Sequence, residues 1–331
     1  MKVLLIGYYG YGNFGDELMR LSIEDFFSKF KIDYATALPK RVSRDTVSRF
    51  SLFEMIDAIL DSDMLIYGGG GLFQDVTSTR SFLYYASVIR LSLILGKPAI
   101  LFGNSLGPVK KPINRHILRS ILKNKKIHVF ARDIVSYRYA KYLNKNTVLS
   151  CDPSVRFLKK FAMENEKSEN DIEKKYDLIL IPKKSEDIER YNVLRNYFDR
   201  IIICPSQETD SAIAKRIATN LDCDLFEDVS NVNAVLTCIL SSNFIISERF
   251  HPTLVGSYFG IPFISLENSK AERFFRKYTN RTDIFAKDLI YIREKIHKAR
   301  SDPIYLKEVM DKEADESYKN LFKLMIRLKS D

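Results

Sequence analysis

Short, mostly apolar runs separated by amphipathic stretches set the pattern of this chain. Residues 2–6, 32–38, 64–67, 98–102 and 127–131 are runs of the kind that parallel sheets bury on both faces. Between them, apolar residues recur at helical spacing. Leu18, Leu21, Ile23, Phe26 and Phe27 mark a first helix, and further helices are predicted at 52–60, 82–94, 112–123 and from Asp133 onward. The alternation resumes with strands at 177–181, 201–204, 225–226, 244–246 and 262–265. Helices are predicted between them at 210–220, 232–240 and 255–262, the last ended by Gly260 and Pro262. Strands alternating with helices predict an α/β protein with parallel sheets. The stretch 156–176, rich in Lys, Glu and Asn, reads as a linker between a domain at 1–155 and a domain at 177–331. Amphipathic stretches at 287–300 and 303–328 read as closing helices of the second domain.

The polar positions that break this pattern cluster where strands end, the edge at which open α/β sheets bind ligands. After the first strand, Gly10, Gly12 and Gly15 fit G-x-G-x-x-G. A dinucleotide does not suit this loop, because Asp16 and Glu17 occupy the first helical turn and repel a pyrophosphate. A sugar acceptor suits it better, with Asn13, Asp16 or Glu17 meeting hydroxyls; alternatively the two acids only complement the helix dipole. After the 64–67 strand, Gly68 to Gly71 leave bare backbone, and Gln74, Asp75, Thr77, Ser78 and Arg80 follow. This is read as a second ligand-facing loop. Arg132 stands at the end of another strand, with Asp133 as a helix cap. In the second domain, Arg249 and His251 share one strand-to-helix turn, where they offer an anion clamp and a proton donor. A capped turn with a structural histidine is the alternative there.

Charge narrows the partners. The 331 residues carry a net charge of +10. Residues 1–155 hold 22 Lys and Arg against 13 Asp and Glu, and the remainder 30 against 29. From Lys110 to Lys145 the one acid is Asp133. A one-sided basic patch selects anionic partners. The helix at 112–123 sets Arg115, His116, Arg119 and Lys123 opposite its apolar face, so residues 110–145 are a candidate contact with an anionic membrane. The stretch lacks a recognised nucleic-acid module, and no nucleic-acid partner is expected. Cys151, Cys204, Cys223 and Cys238 form no C-x-x-C pair and no zinc spacing, which fits reduced thiols in the cytoplasm and predicts no metal.

Taken in order, the motifs Gly10 to Glu17, Gly68 to Asp75 with Arg80, Gly103 to Pro108, Arg132-Asp133, Asp152-Pro153, Arg249-Phe250-His251 and Lys270 resemble the polysaccharide pyruvyl transferase family. The likeness to its bacterial cell-wall polysaccharide members spans roughly residues 3–280. It implies a glycosyltransferase-B-like fold, two Rossmann-like domains facing each other across a cleft. It implies phosphoenolpyruvate as donor, a pyruvate ketal on a sugar as product, and no cofactor. The family's Arg-Leu-His motif falls on Arg249-Phe250-His251, its Arg-Asp motif on Arg132-Asp133, and a loop lysine on Lys270. Two departures stand out: Glu248 replaces an apolar residue, and Glu267-Asn268-Ser269-Lys270 replaces Tyr-Asp-Pro-Lys.

The resulting expectation is a cytoplasmic transferase, working at the inner face of the membrane if its acceptor is lipid-linked. Arg132, Arg249 and Lys270 bind the donor and His251 is the general acid. Asn13, Asp16, Glu17, Gln74, Asp75 and Arg80 meet the acceptor. Two rival readings stay open: a nucleotide-sugar-dependent glycosyltransferase of the same fold, and a non-catalytic anion- or membrane-binding protein.

Overall fold

The computed structural model describes residues 1–165, 173–183 and 187–330. Two parallel sheets organise it. The first is built from β1 (Lys2–Ile6), α1 (Phe14–Lys29), β2 (Asp33–Leu38), β3 (Thr46–Ser48), α2 (Leu52–Asp61), β4 (Met64–Phe73), α3 (Thr79–Ile94), β5 (Ala99–Leu106), α4 (Pro112–Leu122), β6 (Ile127–Ala131), α5 (Ile134–Leu143) and β7 (Thr147–Leu149). Its strand order is β3-β2-β1-β4-β5-β6-β7. Leu4, Ile6, Leu65, Leu101 and Val129 form its core with the inner faces of α2, α3 and α4. The strands read cleanly from sequence because both faces are covered, leaving no polar alternation.

After α6 (Val155–Glu164) comes the second series: β8 (Leu178–Ile181), β9 (Ile201–Ile203), α7 (Ser211–Leu221), β10 (Asp224–Leu225), α8 (Val232–Leu240), β11 (Ile245–Ser247), α9 (Phe250–Phe259), β12 (Phe263–Leu266), α10 (Ser269–Phe275), β13 (Phe285–Ala286), α11 (Ile292–Ser301) and α12 (Lys307–Ser330). The order of its sheet is β10-β9-β8-β11-β12-β13. The topology reverses between β1 and β4 in the first sheet and between β8 and β11 in the second. Loops leaving the strands at such a point diverge and open a crevice. The turn after β11 carries Arg249, and His251 follows in the first turn of α9.

Several elements differ from the expectation. Residues 68–71 continue β4 instead of starting a loop. The bare backbone there is occupied by the chain's own side chains: Tyr9 Oη donates to the Gly68 carbonyl at 2.5 Å, and a Cβ on Gly69 (φ +75°) would lie 2.1 Å from Met19 Sδ. Helix α9 starts at Phe250, five residues before the expected 255. Pro252 sits in its first turn, where the missing N–H has no helical partner to lose. Of the expected linker at 156–176, the part up to Glu164 belongs to α6, which buries Val155, Leu158 and Ala162 on one face. Residues 166–172 lie outside the described residues.

The chain groups into two compact units, Met1–Gly10 with Leu18–Phe157 and Asp311–Asp331, and Tyr11–Glu17 with Leu158–Met310. Most of α12 therefore belongs to the first unit, whereas the sequence order put it with the second. The reason is local: Ser317 Oγ accepts from Cys151 N at 3.0 Å, Tyr318 Oη donates to the Pro153 carbonyl at 3.1 Å, and Phe322 packs on Phe30 at 4.6 Å between ring centroids. The glycine segment Tyr11–Glu17 groups with the second unit.

Candidate functional site

In the second unit, Arg249 is the N-cap of α9 and His251 lies in the first turn of that helix. The turn is braced by Ser247, whose Oγ accepts from Arg249 N at 3.0 Å and donates to the Arg249 carbonyl at 2.8 Å. The guanidinium is aimed by Asp210, a carboxylate buried at the start of α7. Nε donates to Asp210 Oδ2 at 2.9 Å and Nη2 to Oδ1 at 2.5 Å. A fork held at Nε and Nη2 leaves Nη1 to meet an anion.

Next to Asp210, Gln207 ties in the glycine segment. Asn13 Nδ2 donates to Gln207 Oε1 at 2.8 Å, and Phe14 N donates to the Ser206 carbonyl at 2.9 Å. Asn13 Oδ1 accepts from Gly15 N and Asp16 N, opening helix α1. Gly15 is then fixed against His251: a Cβ there would lie 1.7 Å from His251 Nδ1. No side chain larger than hydrogen fits between that first turn and the imidazole. The other edge of His251 meets Phe250, with ring centroids 4.8 Å apart.

Glu248, which sequence left without a role, anchors the same turn from behind. It is buried and accepts from Lys183 N at 2.7 Å, from Tyr191 Oη at 2.5 Å and from Arg190 Nη2. Burial and this carboxylate push the Tyr191 hydroxyl well above its usual range. Arg190 reaches on to Glu267 at 3.1 Å. The carbonyl of Glu248 accepts from Asn268 Nδ2 at 3.0 Å, and Asn268 Oδ1 accepts from Lys270 N at 3.1 Å. The loop of Lys270 is therefore fastened to the residue preceding Arg249. Within the second unit the structure brings together Asn13, Asp16, Glu17, Arg249, His251 and the Lys270 loop.

The remaining expected residues belong to the first unit. Arg132 is buried in an ion pair with Asp152 at 2.5 Å, and its Nε donates to Ser105 Oγ at 2.9 Å. Asp133 caps α5 as expected, its side chain accepting from Ser136 N. On the loop after β4, Gln74 Oε1 accepts from Thr77 N, and Arg80 is exposed in the first turn of α3. Asp75 is engaged internally. It is buried and accepts from Lys110 N at 2.7 Å, Lys111 N at 3.0 Å and Asn114 Nδ2 at 2.9 Å, fastening the start of α4. Burial raises its carboxyl, and these three donors outweigh that, holding it below the usual carboxylate range.

Asp210 and Gln207 were not identified from sequence. Asp210 looked only like a helix start, and nothing in the spacing from 210 to 249 signals a pair. Among the described residues, no three His, Cys, Asp or Glu side chains are grouped as a metal site.

The family model for polysaccharide pyruvyl transferase matches residues 13–270. No curated protein matches the chain. Among solved structures, the chain is similar to UDP-N-acetylglucosamine 2-epimerase from Rickettsia bellii, with 12% identity, TM-score 0.63, and coverage of 100% of this chain and 97% of that one. The UDP-GlcNAc 2-epimerase of Methanocaldococcus jannaschii gives 13% identity, TM-score 0.60, and coverage of 99% and 100%. The wall teichoic acid polymerase TagF gives 12%, 0.61, and 99% and 88%. At such identities the likeness shows the fold, that of glycosyltransferase-B enzymes and epimerases. With most of its length matched by one family, and with that fold, the chain belongs to the polysaccharide pyruvyl transferase family.

Proposed function

We propose that this protein transfers the enolpyruvyl group of phosphoenolpyruvate to a sugar of a cell-surface polysaccharide or of its lipid-linked precursor, forming a pyruvate ketal and releasing phosphate. The reaction takes place in the cytoplasm, at the inner face of the membrane when the acceptor is lipid-linked. The observation that carries this reading is the Arg249 fork, set by buried Asp210 two residues before an imidazole seated on Gly15. Family membership supports a pyruvyl transferase.

Phosphoenolpyruvate brings a carboxylate and a phosphate. Arg249 and Lys270 bind these anions, with Arg132 as a third donor-binding cation. Each charge-assisted contact contributes about 1.5–3 kcal/mol. His251 gives a proton to the methylene carbon, making it a methyl group and leaving an oxocarbenium-like centre. One sugar hydroxyl adds to that carbon, the bond to the phosphate oxygen breaks, and a second hydroxyl closes the ketal. Of the two hydroxyl protons released, one replaces the proton His251 gave up and the other leaves with phosphate. Asn13, Asp16, Glu17, Gln74 and Arg80 are the groups proposed to meet the acceptor. Asp75, held by Lys110 N, Lys111 N and Asn114 Nδ2, shapes the loop after β4 that carries Gln74.

The test is phosphate release from phosphoenolpyruvate with a panel of lipid-linked amino-sugar acceptors, for the native protein and His251→Ala. The native protein should turn over and the variant should not, with its melting temperature kept. Equal turnover by the two removes His251 from the mechanism. Stabilisation by nucleotide sugars, and none by phosphoenolpyruvate, would instead favour a nucleotide-sugar glycosyltransferase.

A further inference from the structure

In the first unit, the ends of α2, α3, α4 and α5 that follow strands carry large exposed apolar side chains. Phe50 and Phe53 at the start of α2 are 70% and 81% exposed, and Ile113 at the start of α4 is 69% exposed. Val76, Leu83 and Val135 are exposed in the corresponding places on the β4 loop, α3 and α5. Hydrogen bonds and ring contacts hold these ends side by side. Arg49 lies over the rings of Phe50 and Tyr84, 5.8 and 4.5 Å from their centroids, joining α2 to α3. Asp75 joins the β4 loop to α4, and Ser136 Oγ accepts from Leu106 N at 2.7 Å, joining α5 to the end of β5. Exposed apolar groups gathered along one sheet edge mark an interaction surface.

The charge around this surface is mainly positive, with Asp57 of α2 as an exposed acid one turn from Phe53. From Val76 to Cys151 the single acid, Asp133, is buried as the cap of α5, and the flanking acids Asp75 and Asp152 are buried too. The Lys and Arg of the same stretch are exposed, apart from Arg132 and half-buried Lys97. Arg80, Lys110, Lys111 and Arg115 stand at the helix starts themselves. Glu54, next to Phe53 in sequence, accepts from Ser48 N at 2.9 Å.

We propose that this edge docks on an anionic lipid bilayer, with Phe53 and Ile113 entering the headgroup boundary and the cations meeting lipid phosphates. A nucleic acid takes up cations but leaves large aliphatic and aromatic groups in water. The boundary of a bilayer accepts both. Among the described residues no helix is long and apolar enough to cross a membrane. The β4 loop belongs to this edge, so docking brings it to the bilayer surface where a lipid-linked sugar is displayed.

Flotation of the full chain with phosphatidylcholine vesicles, with and without phosphatidylglycerol, tests this. Binding is expected only with phosphatidylglycerol, and salt should release it. Phe53→Ser with Ile113→Ser should weaken binding at least about tenfold, and Lys110→Glu with Lys111→Glu about fivefold per charge. All four side chains are exposed, so folding is kept, and either pair alone decides. Absence of phosphatidylglycerol-dependent flotation overturns the proposal, as does flotation that both pairs leave unchanged. Binding of a duplex DNA fragment that displaces vesicles and responds only to the charge pair assigns the edge to nucleic acid instead. No substrate is present, so failure here leaves the pyruvyl-transfer reading standing, and the reverse holds equally.

Discussion

Asp210 and Arg249, thirty-nine positions apart, meet as a two-point fork between a fully buried carboxylate and a guanidinium that still reaches solvent. A carboxylate so placed removes the freedom of the arginine to swing, leaving one nitrogen in a fixed direction. Asp210→Asn keeps the shape and removes the charge. The expected result is a KM for phosphoenolpyruvate raised by roughly tenfold, with kcat changed less. Donor binding that stays the same or tightens would show that Asp210 competes with the ligand instead of positioning its partner.

Gly15→Ala places a methyl group where His251 Nδ1 now stands. Alanine suits a helix better than glycine, so the fold gains locally while the imidazole is displaced. A shift of about 1 Å in a proton donor can cost roughly 100-fold in rate. Displacing the ring also costs packing, so we expect kcat to fall on that order with a modest drop in melting temperature, measured by phosphate release and thermal unfolding. An unaltered kcat would sever the link between the glycine segment and His251.

Arg132→Ala leaves Asp152 buried and without its cation. Breaking a buried ion pair on one side typically costs about 3–5 kcal/mol, and urea unfolding should report a loss of that size. A loss below about 1 kcal/mol would mean that the pair carries little structural weight. Arg132→Lys keeps the charge and is the variant in which to measure donor affinity.

His128, buried in β6 near Arg327, titrates at about 4 instead of 6.5, because burial and that guanidinium disfavour its charged form. Between these values the unfolded chain binds the proton more readily than the folded one. Stability from this group is therefore complete above pH 6.5 and declines as pH falls toward 4, by up to about 3 kcal/mol. In His128→Leu the slope of unfolding free energy against pH in this window should flatten. A slope identical to that of the native protein would remove His128 as its source.

The strands were legible because parallel strands covered on both faces are written as largely apolar runs, and 127–131, apolar but for His128, coincides with β6. Edge strands β3 and β13 were not, being three and two residues long with no pattern to detect. Arg249 and His251 were visible as a turn after a strand. Glu248 was visible but uninterpretable, because its partners Arg190 and Tyr191 lie almost sixty positions away. In sequence Gly68 and Gly69 look like room for a ligand, and nothing in their spacing shows that Tyr9 and Met19 fill it. A carboxylate that aims an arginine and one that caps a helix look alike until the fold pairs them.

Helix α12 supplies the first unit with Ser317, Tyr318 and Phe322, yet more than 150 residues separate it from the strand ends it completes. During synthesis the first sheet must wait for that helix, with the faces of Phe26, Phe30 and Phe102 uncovered meanwhile. A fragment ending at Phe157 would keep every strand of the sheet and lack this cover. Such a fragment should be recovered chiefly as aggregate, and supplying 311–331 as a separate peptide should restore its solubility.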